Sequence, residues 1–323
     1  MKIVVLDAYT INPGDMDWAP IRAFGECTFY DRSSQEEIPG RIRDADVVLT
    51  NKAKLDQSAI AAATHLRYIG VMATGYNIID LEAAEARGIV VTNVPSYSTA
   101  STAQGTIALL LELTNHVGLH SKSVHEGGWS KSPDFSYWEK PIIELAGLVL
   151  GVVGWGQIGR AVAKTASALG MSIIVTSRSQ RTQPSDPEMR FVQLPDIFTQ
   201  ADVITLHCPL TEDTKDLINA RTLATMKKSA LLLNTARGGL IAEQDLSDAL
   251  NNGVITGAAL DVLSTEPPDP SNPLLTARNC IITPHNHWAS SSARRRMIEL
   301  LAANMRAYLS GNPVNVVSKS RVS

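Results

Sequence analysis

The chain has 323 residues, which by the usual size scaling makes about two domains of roughly 100 to 200 residues each, with a cleft between them. Hydrophobic residues make up 44%, charged residues 19%, and there are 21 glycines, a globular composition that excludes disordered and fibrous classes. A formal net charge of -3, with no long run of Lys or Arg, excludes the electrostatic footprint of a nucleic-acid binder and leaves small-molecule chemistry.

The first elements set the pattern. Ile3 to Leu6 is a short apolar run interrupted by Asp7, which reads as a strand and not as a signal peptide. Val47 to Thr50, Tyr68 to Met72 and Ile89 to Thr92 read as further buried strands. Between the last two, Leu81 to Arg87 has a helical body with a basic last turn, stopped by Gly88. Such alternation of strands and helices predicts a parallel sheet covered on both faces, so residues 1 to about 98 form one α/β unit.

From Ser101 to Glu126 no proline intervenes, and Ile107, Leu110, Leu111 and Val117 recur near helical spacing, which predicts one long helix able to bridge two domains. A loop rich in Ser, Pro and aromatic residues covers 127 to 141. Alternation then resumes with strands at Leu148 to Val153, Ser172 to Thr176, Val203 to His207, Ala230 to Asn234, Gly257 to Asp261 and Ile281 to Thr283. A closing helix is expected over Ala293 to Leu309, ended by Gly311-Asn312-Pro313. No apolar stretch approaches the roughly 20 residues that span a bilayer. Cys27, Cys208 and Cys280 show neither CxxC nor metal-ligand spacing, so reduced thiols, no metal site and a cytosolic location are expected.

The strand Leu148 to Val153 runs directly into Gly154-Trp155-Gly156-Gln157-Ile158-Gly159 and then a helical pattern. A strand, a glycine loop and a helix in that order let the backbone approach a pyrophosphate at a helix N-terminus, which separates this motif from a simple tight turn. An acidic residue that would bind the ribose 2'-hydroxyl is expected about 20 residues on, at the end of the next strand. There the chain has Ser177-Arg178 instead, with Ser179 and Arg181 following. Arginines and hydroxyls suit a 2'-phosphate, so NADP(H) is favoured over NAD(H); the plain alternative is that both arginines are solvated loop charges.

Three polar residues fall just past strand ends, where ligands collect in doubly wound sheets: Arg237, Glu266 and His285. Reduction of a 2-keto acid needs a hydride, a proton for the carbonyl oxygen and a cation for the carbonyl and carboxylate. Imidazole titrates near neutrality, so His285 is the candidate proton donor, with Glu266 orienting the ring and Arg237 gripping the substrate. Any one of them alone would read as an ordinary loop residue. His287 is the competing proton donor, two residues further on. The histidines at 65, 116, 120, 125 and 207 are expected to be solvent-facing or core residues, and Cys208 has no identifiable base to make it a nucleophile.

These residues lie in segments that resemble the D-isomer-specific 2-hydroxyacid dehydrogenases, in their glycerate dehydrogenase and glyoxylate/hydroxypyruvate reductase branch. The segments are Ala73-Thr74-Gly75-Tyr76-Asn77, the glycine motif, His207-Cys208-Pro209-Leu210-Thr211, Asn234-Thr235-Ala236-Arg237-Gly238, Leu260-Asp261-Val262 with Glu266-Pro267, and Thr283-Pro284-His285. The resemblance spans nearly the whole chain. It implies two doubly wound parallel-sheet domains: a Rossmann cofactor domain over residues 99-287, inserted in a flavodoxin-like substrate domain built from 1-98 and 288-323. It further implies that Arg237, Glu266 and His285 are catalytic, that amides around Thr74 and Gly75 bind the substrate carboxylate, and that Asp261 lies near the nicotinamide carboxamide. Cofactor contacts follow at Thr106, Cys208, Pro209 and Ala236 beside the glycine motif, and a homodimer in which Trp138 reaches the partner's site or simply packs. The implied activity is reduction of a small 2-keto acid such as glyoxylate or hydroxypyruvate to the D-2-hydroxy acid. A dinucleotide-sensing corepressor is the alternative, which the intact Arg237, Glu266 and His285 oppose; a formate-type dehydrogenase is opposed by Glu266. Two departures stand out: Ser177 where many relatives carry an acid, and Gly105 where many carry a His.

Overall fold

A computed structural model describes residues 1–178 and 189–318. The chain divides into two compact units, Met1–Ser98 with Ala289–Ser323, and Thr99–Trp288. In the first, strands β1 (Lys2–Val5), β2 (Glu26–Phe29), β3 (Val47–Thr50), β4 (Tyr68–Val71) and β5 (Val90–Thr92) form a wholly parallel sheet in the order β2-β1-β3-β4-β5. That is the flavodoxin-like order, whose crevice opens where β1 and β3 diverge. Asp7, directly past β1, fills this point: its carboxylate accepts the backbone amides of Asn51, Lys52 and Ala53, which fixes the loop that follows β3.

Helices of this unit start where the sequence supplies caps. Asp56 and Asp80 accept the Ala59 and Ala83 amides, each at 2.9 Å, and open the helices Gln57–Ala62 and Leu81–Ala86. The latter ends at Arg87, and Gly88 takes the left-handed conformation with φ 67°, the stop its position predicts. One face of the sheet buries Val4, Leu6, Val48, Ile69 and Val71 against Ile38, Ile42 and Ile60. The closing helix Ser291–Leu309, capped by Ser290, belongs to the same unit and packs on β4. A Cβ at Gly70 would lie 2.9 Å from Leu301 Cδ1, and the Tyr68 and Tyr308 rings sit 4.8 Å apart. Arg294 pairs with Asp15 at 2.6 Å, and Ser318 Oγ accepts the Val91 amide.

In the second unit β6 (Val149–Val153), β7 (Ser172–Thr176), β8 (Met189–Phe191), β9 (Val203–Leu206), β10 (Leu231–Asn234), β11 (Gly257–Leu260) and β12 (Cys280–Ile282) form a second all-parallel sheet, ordered β12-β11-β10-β9-β6-β7-β8. Strand order reverses between β6 and β9, the dinucleotide switch point of a Rossmann fold. Buried side chains alternate between two cores. Leu232 joins Ile197, Phe198 and Leu246 on one face; Leu231 and Leu233 join Ile107, Leu110 and Val162 on the other. Each fully buried Leu of this kind stabilises the unit by about 1.5–3 kcal/mol relative to exposure.

The expected single helix from 101 to 126 is two helices, Thr99–Asn115 and Val117–His125. His116 between them has φ 50°, and the Glu112 carboxylate accepts the Gly118 amide at 3.2 Å, which seats the new start. Burial accounts for the break. The first helix buries eight residues in the core, whereas the second buries none. Among the described residues no helix is long and apolar enough to cross a membrane.

Candidate active site

The glycine loop after β6 is shaped by what lies behind it. Gly154 has φ 103°, and a Cβ there would come within 2.6 Å of the Cys208 amide nitrogen and the His207 carbonyl, so only glycine lets the β6 and β9 loops touch. At Gly159 a Cβ would meet the Gly154 oxygen at 2.3 Å, which sets the helix Gln157–Ala168 tight on the loop. Gly156 differs. A Cβ there would meet nothing within 4 Å, and as the N-cap it supplies no side chain to the amides of Gln157, Ile158 and Gly159. The loop is therefore closed behind and open in front, which fits a pyrophosphate drawn to a helix N-terminus.

Beside the loop, His207 shares a hydrogen bond of 2.9 Å between its Nε2 and Thr205 Oγ1, and burial pushes its pKa down to about 4. Burial also pushes the Cys208 thiol up, with its own backbone and Arg178 pulling the other way. That is an inert thiol. Arg178 is exposed and faces the Asp213 carboxylate at 3.8 Å; Ser179 and Arg181 lie outside the described residues. Thr106 is fully buried, its hydroxyl donating to Thr102 O and meeting Thr235 Oγ1 at 2.9 Å, so it ties the helix Thr99–Asn115 to the loop carrying Ala236.

The polar residues past β10, β11 and β12 are held by a chain of contacts. Asn234 Oδ1 accepts the Ala236 amide and its Nδ2 donates to Arg237 O, which clamps the turn presenting Arg237. The Arg237 side chain is exposed and donates to Ala236 O at 2.7 Å. Next to it, a Cβ on Gly238 would fall 1.9 Å from the Leu263 carbonyl carbon, so the β10 loop presses on the peptide leading to Glu266. Glu266 Oε1 accepts the Leu263 amide at 3.0 Å, and Oε2 lies 2.6 Å from His285 Nδ1. With Nδ1–H given to the carboxylate, Nε2 is the nitrogen left for proton exchange.

His285 sits at φ 50°, held by its amide donating to Thr283 O. Asp261 braces both sides of it. Only 2% exposed, its carboxylate accepts the Thr283 hydroxyl at 2.7 Å and the amides of Asn286 and His287 at 3.0 and 3.1 Å. The His287 ring, the competing proton donor by position, is 13% exposed and packed on Gly105. In the other unit Thr74 and Gly75 follow β4; Thr74 is fixed by its hydroxyl on Val94 O and by Asn93 Nδ2 on its carbonyl, and neither the Thr74 nor the Gly75 amide has an acceptor among the described residues. No cluster that could hold a metal ion occurs among the described residues. Asp7 is given no role by the sequence pattern, and Asn234 and Gly238 enter it only as members of the segment around Arg237.

An imidazole oriented by a carboxylate, past the strand ends of the same parallel sheet that carries a dinucleotide cradle, is the equipment of a nicotinamide-dependent dehydrogenase. Residues 107–286 match the model of the D-isomer specific 2-hydroxyacid dehydrogenase, NAD binding domain. The chain is 48% identical over 322 residues to a hydroxypyruvate reductase from Blautia hydrogenotrophica, covering 99% of this chain and 100% of that one. It is 38% identical to a glycerate dehydrogenase from Methylorubrum extorquens, covering 98% of each. Among solved structures, an NADPH-dependent glyoxylate/hydroxypyruvate reductase from Sinorhizobium meliloti superposes with a TM-score of 0.85 at 27% identity, covering 99% of this chain and 98% of that one. The chain belongs to the D-isomer-specific 2-hydroxyacid dehydrogenase family.

Proposed function

We propose that this protein reduces small 2-keto acids, glyoxylate and hydroxypyruvate first among them, to their D-2-hydroxy acids. The observation that carries the proposal is the His285–Glu266 pair, 2.6 Å apart past the ends of the same parallel sheet that carries the glycine loop, in a chain whose relatives include a hydroxypyruvate reductase and a glyoxylate reductase. The corepressor alternative finds no support among those relatives.

The nicotinamide cofactor, when bound, supplies the hydride. The chain supplies the rest. Arg237 pairs with the substrate's carboxylate and polarises its carbonyl through its fork of donors. The Thr74 and Gly75 amides bind the carboxylate. His285 gives the Nε2 proton to the nascent alkoxide, and Glu266 holds the ring by its Nδ1 so that Nε2 is the nitrogen presented. Gly154, Gly156, Gln157, Ile158 and Gly159 form the pyrophosphate cradle. Cys208, Pro209, Thr106 and Ala236 flank the cofactor, and Asp261 stands by the carboxamide end.

Cofactor choice in this proposal favours NADP(H) over NAD(H), since Ser177 stands where a carboxylate would repel a 2'-phosphate, and Arg178 and Arg181 follow it in the sequence. The similar Sinorhizobium meliloti reductase is NADPH-dependent. The protein acts as a cytosolic homodimer. Its helix Val117–His125 and the following loop leave Val117, Trp129, Phe135, Trp138 and Ile142 each more than half exposed. Trp138, at 66% exposure, is the residue of this loop that would reach a partner's site, against the alternative that it simply packs. Initial rates of NADPH and NADH oxidation with glyoxylate, hydroxypyruvate, pyruvate and a bulkier 2-keto acid test the proposal. Turnover of the two smallest substrates supports it, and cofactor binding without turnover of any overturns it.

A further inference from the structure

The second imidazole of the β12 loop has a seat of its own. A Cβ at Gly105 would lie 2.3 Å from His287 Cγ and 2.6 Å from its Nδ1, so the ring occupies space that exists because residue 105 has no side chain. One turn earlier in the same helix, Ser101 donates its hydroxyl to the His287 carbonyl at 2.5 Å. Helix Thr99–Asn115 thus holds both the ring and the backbone of His287.

The hydrogen bonds then fix the ring's tautomer. Thr283 has one hydroxyl proton, which it gives to Asp261 Oδ1 at 2.7 Å. Towards His287 Nε2, 3.4 Å away, Thr283 is therefore the acceptor, and Nε2 carries the proton of the neutral ring. Nδ1 is left as a bare lone pair. It is buried, has no hydrogen-bond partner among the described residues, and stands 3.8 Å from Asp261 Oδ2. A neutral ring turns a lone pair towards that carboxylate, whereas a protonated ring turns an N–H cation towards it.

We propose that His287 is a positioning residue for Asp261: the neutral ring, seated on Gly105, leaves Oδ2 available to the cofactor's amide, and the protonated ring draws Oδ2 to itself and weakens cofactor binding. The proposal rests on the assignment of Asp261 to the carboxamide end made above. The titratable groups facing the ring are Asp261 and His285, the latter paired with Glu266; the helix meets His287 through Ser101 and Gly105. Burial holds the His287 pKa below the ordinary 6.5, His285 adding to the lowering and Asp261 opposing it. The ring is neutral at pH 7 and takes its proton only in acid.

The test measures NADH and NADPH dissociation constants by quenching of tryptophan fluorescence between pH 8 and 5, for the native protein, His287→Gln and Gly105→Ala. Native affinity should fall on acidification by about tenfold relative to His287→Gln, the size of one hydrogen bond to a charged group. Gly105→Ala, which evicts the ring, should bind more weakly at every pH. If His287→Gln follows the native profile, the proposal is wrong. Nitrogen NMR of the unliganded protein reads the same point without cofactor: a bare Nδ1 is expected, and a bare Nε2 overturns it. Native protein that binds no nicotinamide cofactor at any pH would take the proposed function down as well, whereas binding with an unmoved His287→Gln profile overturns this inference alone.

Discussion

Glu266 divides its two oxygens between a backbone and a ring: Oε1 accepts the Leu263 amide at 3.0 Å while Oε2 lies 2.6 Å from His285 Nδ1. The carboxylate is thereby anchored by the main chain and cannot swing away from the imidazole without losing a bond. Removing His285 deletes the proposed proton donor, and changing Glu266 removes only the carboxylate that orients its ring. His285→Ala should lower kcat by roughly 10²–10⁴-fold with cofactor affinity kept. Glu266→Gln should lower it less, because the amide oxygen can still accept the Nδ1 proton while the charge beside the ring is lost. Steady-state rates across pH, with cofactor affinity measured by fluorescence, check both; an unchanged rate in His285→Ala would remove it from the chemistry.

Arg237 is exposed and donates to Ala236 O, so its guanidinium is presented by the Asn234 clamp rather than consumed by it. Lysine keeps the charge and loses the planar fork. Arg237→Lys should raise KM for the keto acid and lower kcat/KM by about 10- to 100-fold, the worth of a charge-assisted hydrogen bond or two, with cofactor binding unchanged. An unaltered KM would show that another group holds the carboxylate.

Ser177 and Arg178 follow β7 at the position where an acid would select an unphosphorylated ribose. Ser177→Asp combined with Arg178→Ile exchanges a favourable charge for a repulsive one. The ratio of kcat/KM for NADPH to that for NADH should drop at least tenfold, which competition assays read directly. A ratio that does not move would make Arg178 a surface charge paired with Asp213, consistent with the weak worth of such exposed pairs.

His207 gives a stability prediction with a definite sign. Its pKa is about 4 in the folded chain against an ordinary 6.5, so the unfolded chain takes up the proton first. Folding is unpenalised above about pH 6.5 and progressively penalised as pH falls towards 4, by about 3 kcal/mol in all. Denaturant unfolding at pH 7 and pH 5 should show a loss of about 2 kcal/mol that His207→Gln lacks. Equal losses in both proteins would assign the acid sensitivity elsewhere.

How far the sequence reached follows from burial. β3, β6, β9, β10 and β11 are covered on both faces, so their Val, Ile, Leu and Ala runs mark them to within a residue or two. β2 and β8 stand at sheet edges, half-exposed and without an apolar run, and their sequences, ECTF and MRF, gave no such signal. The helix break at His116 depends on a left-handed backbone at a non-glycine residue, which periodicity does not encode. At the site, glycine spacing and strand-end position were legible because chain connectivity dictates both. Asp7 was not, because three amides from a segment more than forty residues away define its role. His287 was legible as a neighbour of His285, but its seat depends on Gly105, a contact across the fold.

The closing helix on β4 also orders events during synthesis. Leu301 fills the space over Gly70, Arg294 reaches Asp15, and Ser318 bonds the Val91 amide. A ribosome releases the first 98 residues without any of these partners, so the N-terminal sheet emerges with one apolar face uncovered. The segment from Thr99 to Trp288 carries both of its own cores and can fold as soon as it is made. The part of the chain translated first is therefore the last to be completed, its sheet waiting for the closing helix and for Ser318.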